Sequence, residues 1–167
     1  MSWVVKGNVW KFGDNVSTDL IAPGRYVILD YEQQSNHTLE AIKPDFAQKV
    51  KPHDFLVAGR NFGCGSSREA AAQVLRHKKV GGVVAESFAR IFFRNCIAAG
   101  LPVLVCPKVS NIFEEGHAAE VDFSSGHVRN LTTGAELTTL PLSKEIISVI
   151  EQGGIVPMLR VMFAKSE

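Results

Sequence analysis

Residues 54–106 carry one alternating pattern that leaves few folds open. A short apolar run over 54–58 ends in Gly59, and a Gly-rich loop then leads into the good helix formers of 70–77. A β-branched run over 80–85 precedes a helix predicted for 87–99, which Gly100 closes as a C-cap. A third apolar run, 101–106, stops at Pro107. Strand, helix, strand, helix and strand with short connections imply parallel strands joined by right-handed crossovers. The expected class is α/β, with a parallel βαβαβ core.

The flanks are less regular. Residues 3–12 alternate loosely and predict a strand, Gly13-Asp14-Asn15 reads as a turn, and 15–31 reads as loop broken by Pro23-Gly24. Leu39, Ile42 and Phe46 have helical spacing, which predicts a helix over 37–50 interrupted at Pro44. Residues 119–140 read as turn-rich, irregular β structure beside the parallel core. A helix over 143–151 with Ser143 as N-cap and a last strand over 158–163 complete the expectation. With 167 residues and no repeat or linker, a single domain over 1–167 is expected.

Hydrophobic residues at 46% and charged residues at 21% exclude disordered, collagen-like and coiled-coil chains. Eighteen Lys and Arg against seventeen Asp and Glu leave a net charge of +1, so no overall charge draws the chain to nucleic acid or an anionic membrane. No apolar run approaches the roughly 18–20 residues of a membrane span, and residues 1–7 lack a signal-peptide pattern. A soluble cytoplasmic domain is expected. Cys64, Cys96 and Cys106 form no Cys-x-x-Cys pair, so neither a metal site nor a disulfide framework is expected in this chain.

The segment 59–69, Gly-Arg-Asn-Phe-Gly-Cys-Gly-Ser-Ser-Arg-Glu, follows a predicted parallel strand, where open α/β folds place their ligands. Ser66 and Ser67 stand at the start of a helix, whose free N–H groups favour anions, and Arg68 adds a fork suited to a carboxylate. A second reading stands beside this one: Ser66 and Glu69 form Ser-x-x-Glu, a capping box. A Walker loop is excluded because Gly-Lys-Ser/Thr is missing, and no Gly-x-Ser-x-Gly elbow occurs. The five histidines fall in predicted loops or at helix ends, where exposed or capping roles are expected. Arg90 and Arg94 share a helix face read as a solvated or subunit-facing stripe, with Phe88, Ile91 and Phe92 as the buried face. Cys64, inside the loop, is read as a structural thiol rather than a reactive one.

Two runs, Asn61-Phe62-Gly63-Cys64-Gly65-Ser66-Ser67-Arg68-Glu69 and Ala85-Glu86-Ser87-Phe88-Ala89-Arg90-Ile91-Phe92-Phe93-Arg94-Asn95, resemble signatures of the aconitase-family swivel domain. Ser17-Thr18-Asp19 with Pro23-Gly24-Arg25-Tyr26 is similar to that family's N-terminal signature. As a short separate chain it resembles the family's isopropylmalate dehydratase small subunits. The resemblance implies a swivelling β/β/α domain and a hydro-lyase that interconverts 2- and 3-isopropylmalate, a step of leucine biosynthesis. It implies a partner large subunit that carries a [4Fe-4S] cluster, and a hydroxy-dicarboxylate substrate. By position, Ser66 would be the base, Ser67 and Arg68 would hold a substrate carboxylate, and Thr18 and Asp19 would position the site. The run Tyr26-Val27-Ile28-Leu29 would contact the substrate's substituent. Homoaconitases place an arginine where Ile28 stands, and an apolar Ile28 suits an alkyl group.

Ala70 replaces the family's usual histidine, and Asn95-Cys96-Ile97-Ala98-Ala99 departs from its usual Asn-Ala-Ile-Asn. Three readings therefore compete: an isopropylmalate-type subunit, a subunit for another alkylmalate such as dimethylmalate or for homoaconitate, and a non-catalytic anion-binding partner domain.

Overall fold

In a computed structural model, which describes residues 2–166, one strand joins two halves of a sheet. Strand β1 (Val4–Lys11) pairs in parallel with β2 (Phe55–Ala58) and antiparallel with β5 (Ala118–Asp122). β3 (Gly82–Ala85) and β4 (Val103–Val105) extend the parallel half. β6 (His127–Asn130) and β7 (Glu136–Thr138) extend the antiparallel half, giving the order β4-β3-β2-β1-β5-β6-β7. The fold is α/β with the expected parallel core. The irregular β portion is a continuation of the same sheet rather than a separate layer.

Burial explains the division. Every residue of β2 and β3 is buried, as a strand covered on both faces requires, whereas β5 alternates between buried and half-buried positions. Successive residues of the core strands go to opposite faces. Leu56, Ala58, Val83 and Ala85 pack under α4 (Glu69–His77) and α5 (Arg90–Ala99). Phe55, Val57, Val84 and Leu104 pack under α6 (Val109–Ile112) and α7 (Lys144–Glu151), with Phe113 and Phe123. Helix α4 buries Ala71, Ala72, Val74 and Leu75, one continuous stripe.

Several elements fall where the sequence puts them. Gly100 ends α5 in the left-handed region at φ 77°, and the Ser143 hydroxyl caps α7 by accepting from Ile146 N–H at 3.3 Å. Others differ. The segment 15–31 is not plain loop: it contains α1 (Thr18–Ile21), capped by Ser17, and a 3-10 turn, Gly24–Tyr26. The chain then enters α2 (Tyr31–Ser35), capped by Asp30. The helix expected over 37–50 is a series of turns plus the short α3 (Phe46–Lys49), because Leu39 takes φ 59° and Pro44 interrupts the run.

The strand expected over 158–163 is instead part of α8 (Ile155–Ala164), which has no buried residue. Gly154 at φ 111° turns the chain away from α7, and an apolar run this short has no periodicity to separate strand from helix. On α5 the buried face is Phe92, Cys96 and Ala99, while Ile91 is 54% exposed, contrary to the expected Phe88-Ile91-Phe92 face. Phe92 and Cys96 are one turn apart, and Ile91 lies off that stripe. Among the described residues no single helix is long and apolar enough to cross a membrane.

The loop after β2 is held on both sides. Gly63 N–H donates to the Val16 carbonyl at 2.7 Å and Thr18 N–H to the Cys64 carbonyl at 2.9 Å. Phe62 N–H donates to the Ser87 carbonyl, and Ala89 N–H to the Phe62 carbonyl at 2.9 Å. Gly63 adopts φ +81°, and a Cβ there would fall 2.1 Å from Cγ of buried Phe92. Gly63→Ala is expected to destabilise the chain by about 2–4 kcal/mol, from strain at positive φ and overpacking. Urea unfolding measures this, and a loss below about 0.5 kcal/mol would contradict the packing described.

Candidate active site

The Ser66–Arg68 turn connects β2 to α4 at the carboxyl ends of the parallel strands. The capping-box reading fails on geometry. Arg68, at φ −131° and ψ 108°, is the N-cap position of α4, so Glu69 is the first helical residue and not the third. Ser66 lies two residues before the cap, and its Oγ accepts from Arg68 Nε at 3.1 Å. Both serines are exposed. Buried Thr18 supports the turn from beneath, its Oγ1 donating to the Ser66 carbonyl at 2.7 Å.

Arg68 is oriented from several directions. Nη1 lies 3.1 Å from Asp19 Oδ1 and donates to the Ala22 carbonyl at 3.3 Å. The same Asp19 oxygen accepts from Gly24 N–H at 3.1 Å. Gly24 lies so close that a Cβ would sit 2.8 Å from Nη1. Among the described residues Nη2 makes no hydrogen bond, so both of its donors are unengaged by protein acceptors. Asp19 and Thr18 thus both touch the Ser66–Arg68 turn.

Two hollows flank Arg68. The smaller, about 340 Å³, is lined by Thr18, Ser66, Ser67, Arg68, Arg90 and Asn95. Arg90 is exposed, as a solvated or subunit-facing stripe requires, and it opens α5 beside the serines. Among the described residues it has no hydrogen-bond or ion-pair partner. Its spacing to Arg94 gave no sign of this, because the Phe62–Ala89 bond brings it there. The larger hollow, about 670 Å³, lies behind the 26–29 loop and includes Val27, Leu29 and Ala70. None of the five histidines lines either hollow.

The 26–29 residues do not act alike. Tyr26 stacks on His37 at 3.7 Å between centroids and 14° between planes, and its hydroxyl donates to Glu40 Oε1 at 2.9 Å. His37 Nδ1 lies 3.0 Å from Glu40 Oε2, and Arg25 pairs with the same carboxylate. Desolvation is the largest influence on Glu40 and raises its pKa, but the bonds from His37, Arg25 and Tyr26 together outweigh it and hold the carboxyl below its usual range. His37 is therefore half-buried in a clamp, not an exposed loop residue. At the other end, Gln34 Nε2 donates to the Leu29 carbonyl at 2.8 Å. Between these anchors Val27 is 72% and Ile28 90% exposed, and Ile28 lines neither hollow.

Cys96 and Cys106 are buried and Cys64 is half-buried in the loop. Burial, with a lesser contribution from Glu86, pushes the Cys106 thiol up to about 11, and burial raises Cys96 further above its usual range. Among the described residues no three His, Cys, Asp or Glu side chains converge as metal ligands. The described residues therefore offer no ligand set for a [4Fe-4S] cluster.

A seven-stranded mixed sheet with an oriented serine–arginine turn at the carboxyl end of its parallel strands defines the chain as an α/β domain. The sequence profile of the aconitase C-terminal domain matches residues 15–108, more than half of the chain and including the Ser66–Arg68 turn and Arg90. The small subunit 1 of the 3-isopropylmalate dehydratase of Methanopyrus kandleri is 47% identical over 94% of this chain and 93% of its own length. The methanogen homoaconitase small subunit of Methanothermobacter thermautotrophicus is 46% identical over 93% and 91%. The crystal structure of a 3-isopropylmalate dehydratase from Methanocaldococcus jannaschii superposes with a TM-score of 0.90 at 32% identity, covering 99% of this chain and all of that one. The chain belongs to the aconitase C-terminal domain family.

Two measurements check the local geometry. Glu40→Ala removes the acceptor shared by Arg25, Tyr26 and His37, so limited proteolysis within residues 26–29 is expected to accelerate severalfold. The global stability change should stay within about 1 kcal/mol, as expected for a partly exposed network. Iodoacetamide at neutral pH is expected to label Cys64 in the folded chain and to spare Cys96 and Cys106. Their raised pKa values keep both thiols protonated, and mass spectrometry of the labelled peptides reads the result.

Proposed function

We propose that this chain works as the small subunit of a 3-isopropylmalate dehydratase, a hydro-lyase of the aconitase family. The observation that carries the reading is the 3.1 Å contact of Ser66 Oγ with Arg68 Nε, at an exposed turn beside Ser67 and Arg90. A serine oxygen is a poor base unless its anion is stabilised, and a guanidinium within hydrogen-bond reach does that. In this reading Arg68 Nη2 and Ser67 hold one substrate carboxylate, and Arg90 faces the second. Asp19 and Thr18 position the turn. Ser66 takes the proton from the carbon next to the held carboxylate, while hydroxide leaves from the neighbouring carbon on the partner's side. Rehydration returns the proton and the hydroxyl group to opposite carbons.

The three scattered cysteines support placing the [4Fe-4S] cluster on a large subunit, with this chain acting as a single covering domain in a heteromeric enzyme. Free thiols suit a reducing compartment such as the cytoplasm. The substituent side favours alkylmalates over homoaconitate. The larger hollow has no cation besides Arg68, so an extra carboxylate there would be desolvated without a partner. The relatives include both activities by name, and the lining of the hollow supports the alkylmalate reading.

The test pairs the chain anaerobically with its large subunit and compares turnover of isopropylmalate, dimethylmalate and homocitrate. Isopropylmalate is expected to be preferred over homocitrate. Ser66→Ala should lower kcat by about 10²–10⁴-fold, the usual worth of a general base, with KM within about threefold. Arg68→Lys should raise KM at least tenfold, because an ammonium cannot reproduce the fork. If Ser66→Ala keeps more than a tenth of kcat, the base lies elsewhere and the chain is an anion-binding partner.

A further inference from the structure

The larger hollow beside Arg68 is oversized for an isopropyl group. Its volume of about 670 Å³ falls in the range of roughly 300–1,000 Å³ that accommodates whole drug-sized ligands. Ala22, Pro23, Val27, Leu29 and Ala70 give it apolar walls. Tyr31, Gln34, Asp30 and Glu69 complete it, and Arg68 is the one cation among its lining residues. Its mouth is shared with the smaller hollow through Arg68, which lines both. A carboxylate on Nη2 therefore leaves the substituent of an adjacent carbon at the entrance to the apolar walls.

The walls are preformed. The Leu29 carbonyl is tied to Gln34, Asp30 caps α2 by accepting from Gln33 N–H at 2.8 Å, and Tyr26 is clamped by His37 and Glu40. Ala70, the second residue of α4, stands partly buried between the hollow and the core. Any longer side chain at that position would project into the space that Ala70 leaves open. Asp30 and Glu69 in the lining exclude a substituent that ends in a carboxylate, and the apolar walls reject one that carries a charge of either sign.

We propose that this hollow is the side-chain subsite of the enzyme, that it takes malates bearing an apolar substituent larger than isopropyl, such as isobutyl or benzyl, and that Ala70 keeps it open. The inference rests on the hydro-lyase reading above. An added methylene for which an apolar pocket has no room costs roughly 10–200-fold in kcat/KM, so the substituent series reports directly on the space available.

The experiment measures kcat/KM of the assembled enzyme, with its large subunit, for isopropyl-, isobutyl- and benzylmalate. Benzylmalate is expected to match or exceed isopropylmalate to within threefold. Ala70→Leu is expected to lower the benzyl-to-isopropyl ratio at least tenfold. Val27→Trp, on the exposed loop where folding is not at risk, should lower the ratio from the opposite wall. A benzyl substrate more than a hundredfold poorer than isopropyl in the unmodified enzyme, or a ratio unchanged in both variants, would overturn the proposal while leaving the hydro-lyase reading intact. No turnover of any of the three would overturn the hydro-lyase reading, and this inference with it.

Discussion

The site depends on two backbone bonds that fasten one loop to another: Gly63 N–H to the Val16 carbonyl at 2.7 Å, and Thr18 N–H to the Cys64 carbonyl at 2.9 Å. They are possible because β1 and β2 are parallel neighbours, so the segments that leave them emerge at the same edge of the sheet. Thr18 and Ser66, 48 residues apart in the chain, meet through that edge and share a hydrogen bond. A second ladder, from Phe62 to Ser87 and Ala89, adds the start of α5 and brings Arg90 beside the serines. Three segments distant in sequence thereby behave as one body, and side chains mounted on it need little further ordering to meet a ligand.

Arg68 shows how such a body is used. Its ion pair with Asp19 is partly exposed, and pairs of that kind contribute only about 0–1 kcal/mol to stability. The value of the contact lies in direction. With Nη1 turned to Asp19 and the Ala22 carbonyl, and Nε to Ser66, the guanidinium presents Nη2 outward and holds positive charge against the serine oxygen. The planar fork allows this division of labour, and an ammonium group does not. Gly24 matters for a matching reason, since a Cβ there would press on Nη1 and shift the guanidinium from its bonds.

Much of the fold was legible because its signals are local. The fully buried runs of β2 and β3, Gly100 at a left-handed cap and Ser143 at an N-cap each act within a few residues. The failures came where a longer-range contact decides. Ser66-x-x-Glu69 has the spacing of a capping box, but Thr18 holds the Ser66 carbonyl and the helix starts later. The apolar run at 158–163 suits a strand as well as a helix until Gly154 sets its direction. Nothing in the 26–29 run announces that Tyr26 is clamped by Glu40 fourteen residues on while Ile28 stays 90% exposed. The placement of Arg90 beside the serines has no local signal either, since a bond between Phe62 and Ala89 has no sequence signature.

The outward side chains connect the fold to its mode of action. Ser66 and Ser67 are exposed, and in open water a serine anion is neither formed at neutral pH nor strengthened by a neighbouring guanidinium, because the solvent screens both. Covering the hollows and displacing water would strengthen the contact between Ser66 and Arg68. Among the described residues the lining of the smaller hollow comes from Thr18, the Gly-rich turn and the start of α5. Ile28, 90% exposed on the loop that borders the larger hollow, suits a surface that a partner covers. A domain preorganised in its polar contacts and open in its apolar ones is thus suited to completing a site that another chain begins.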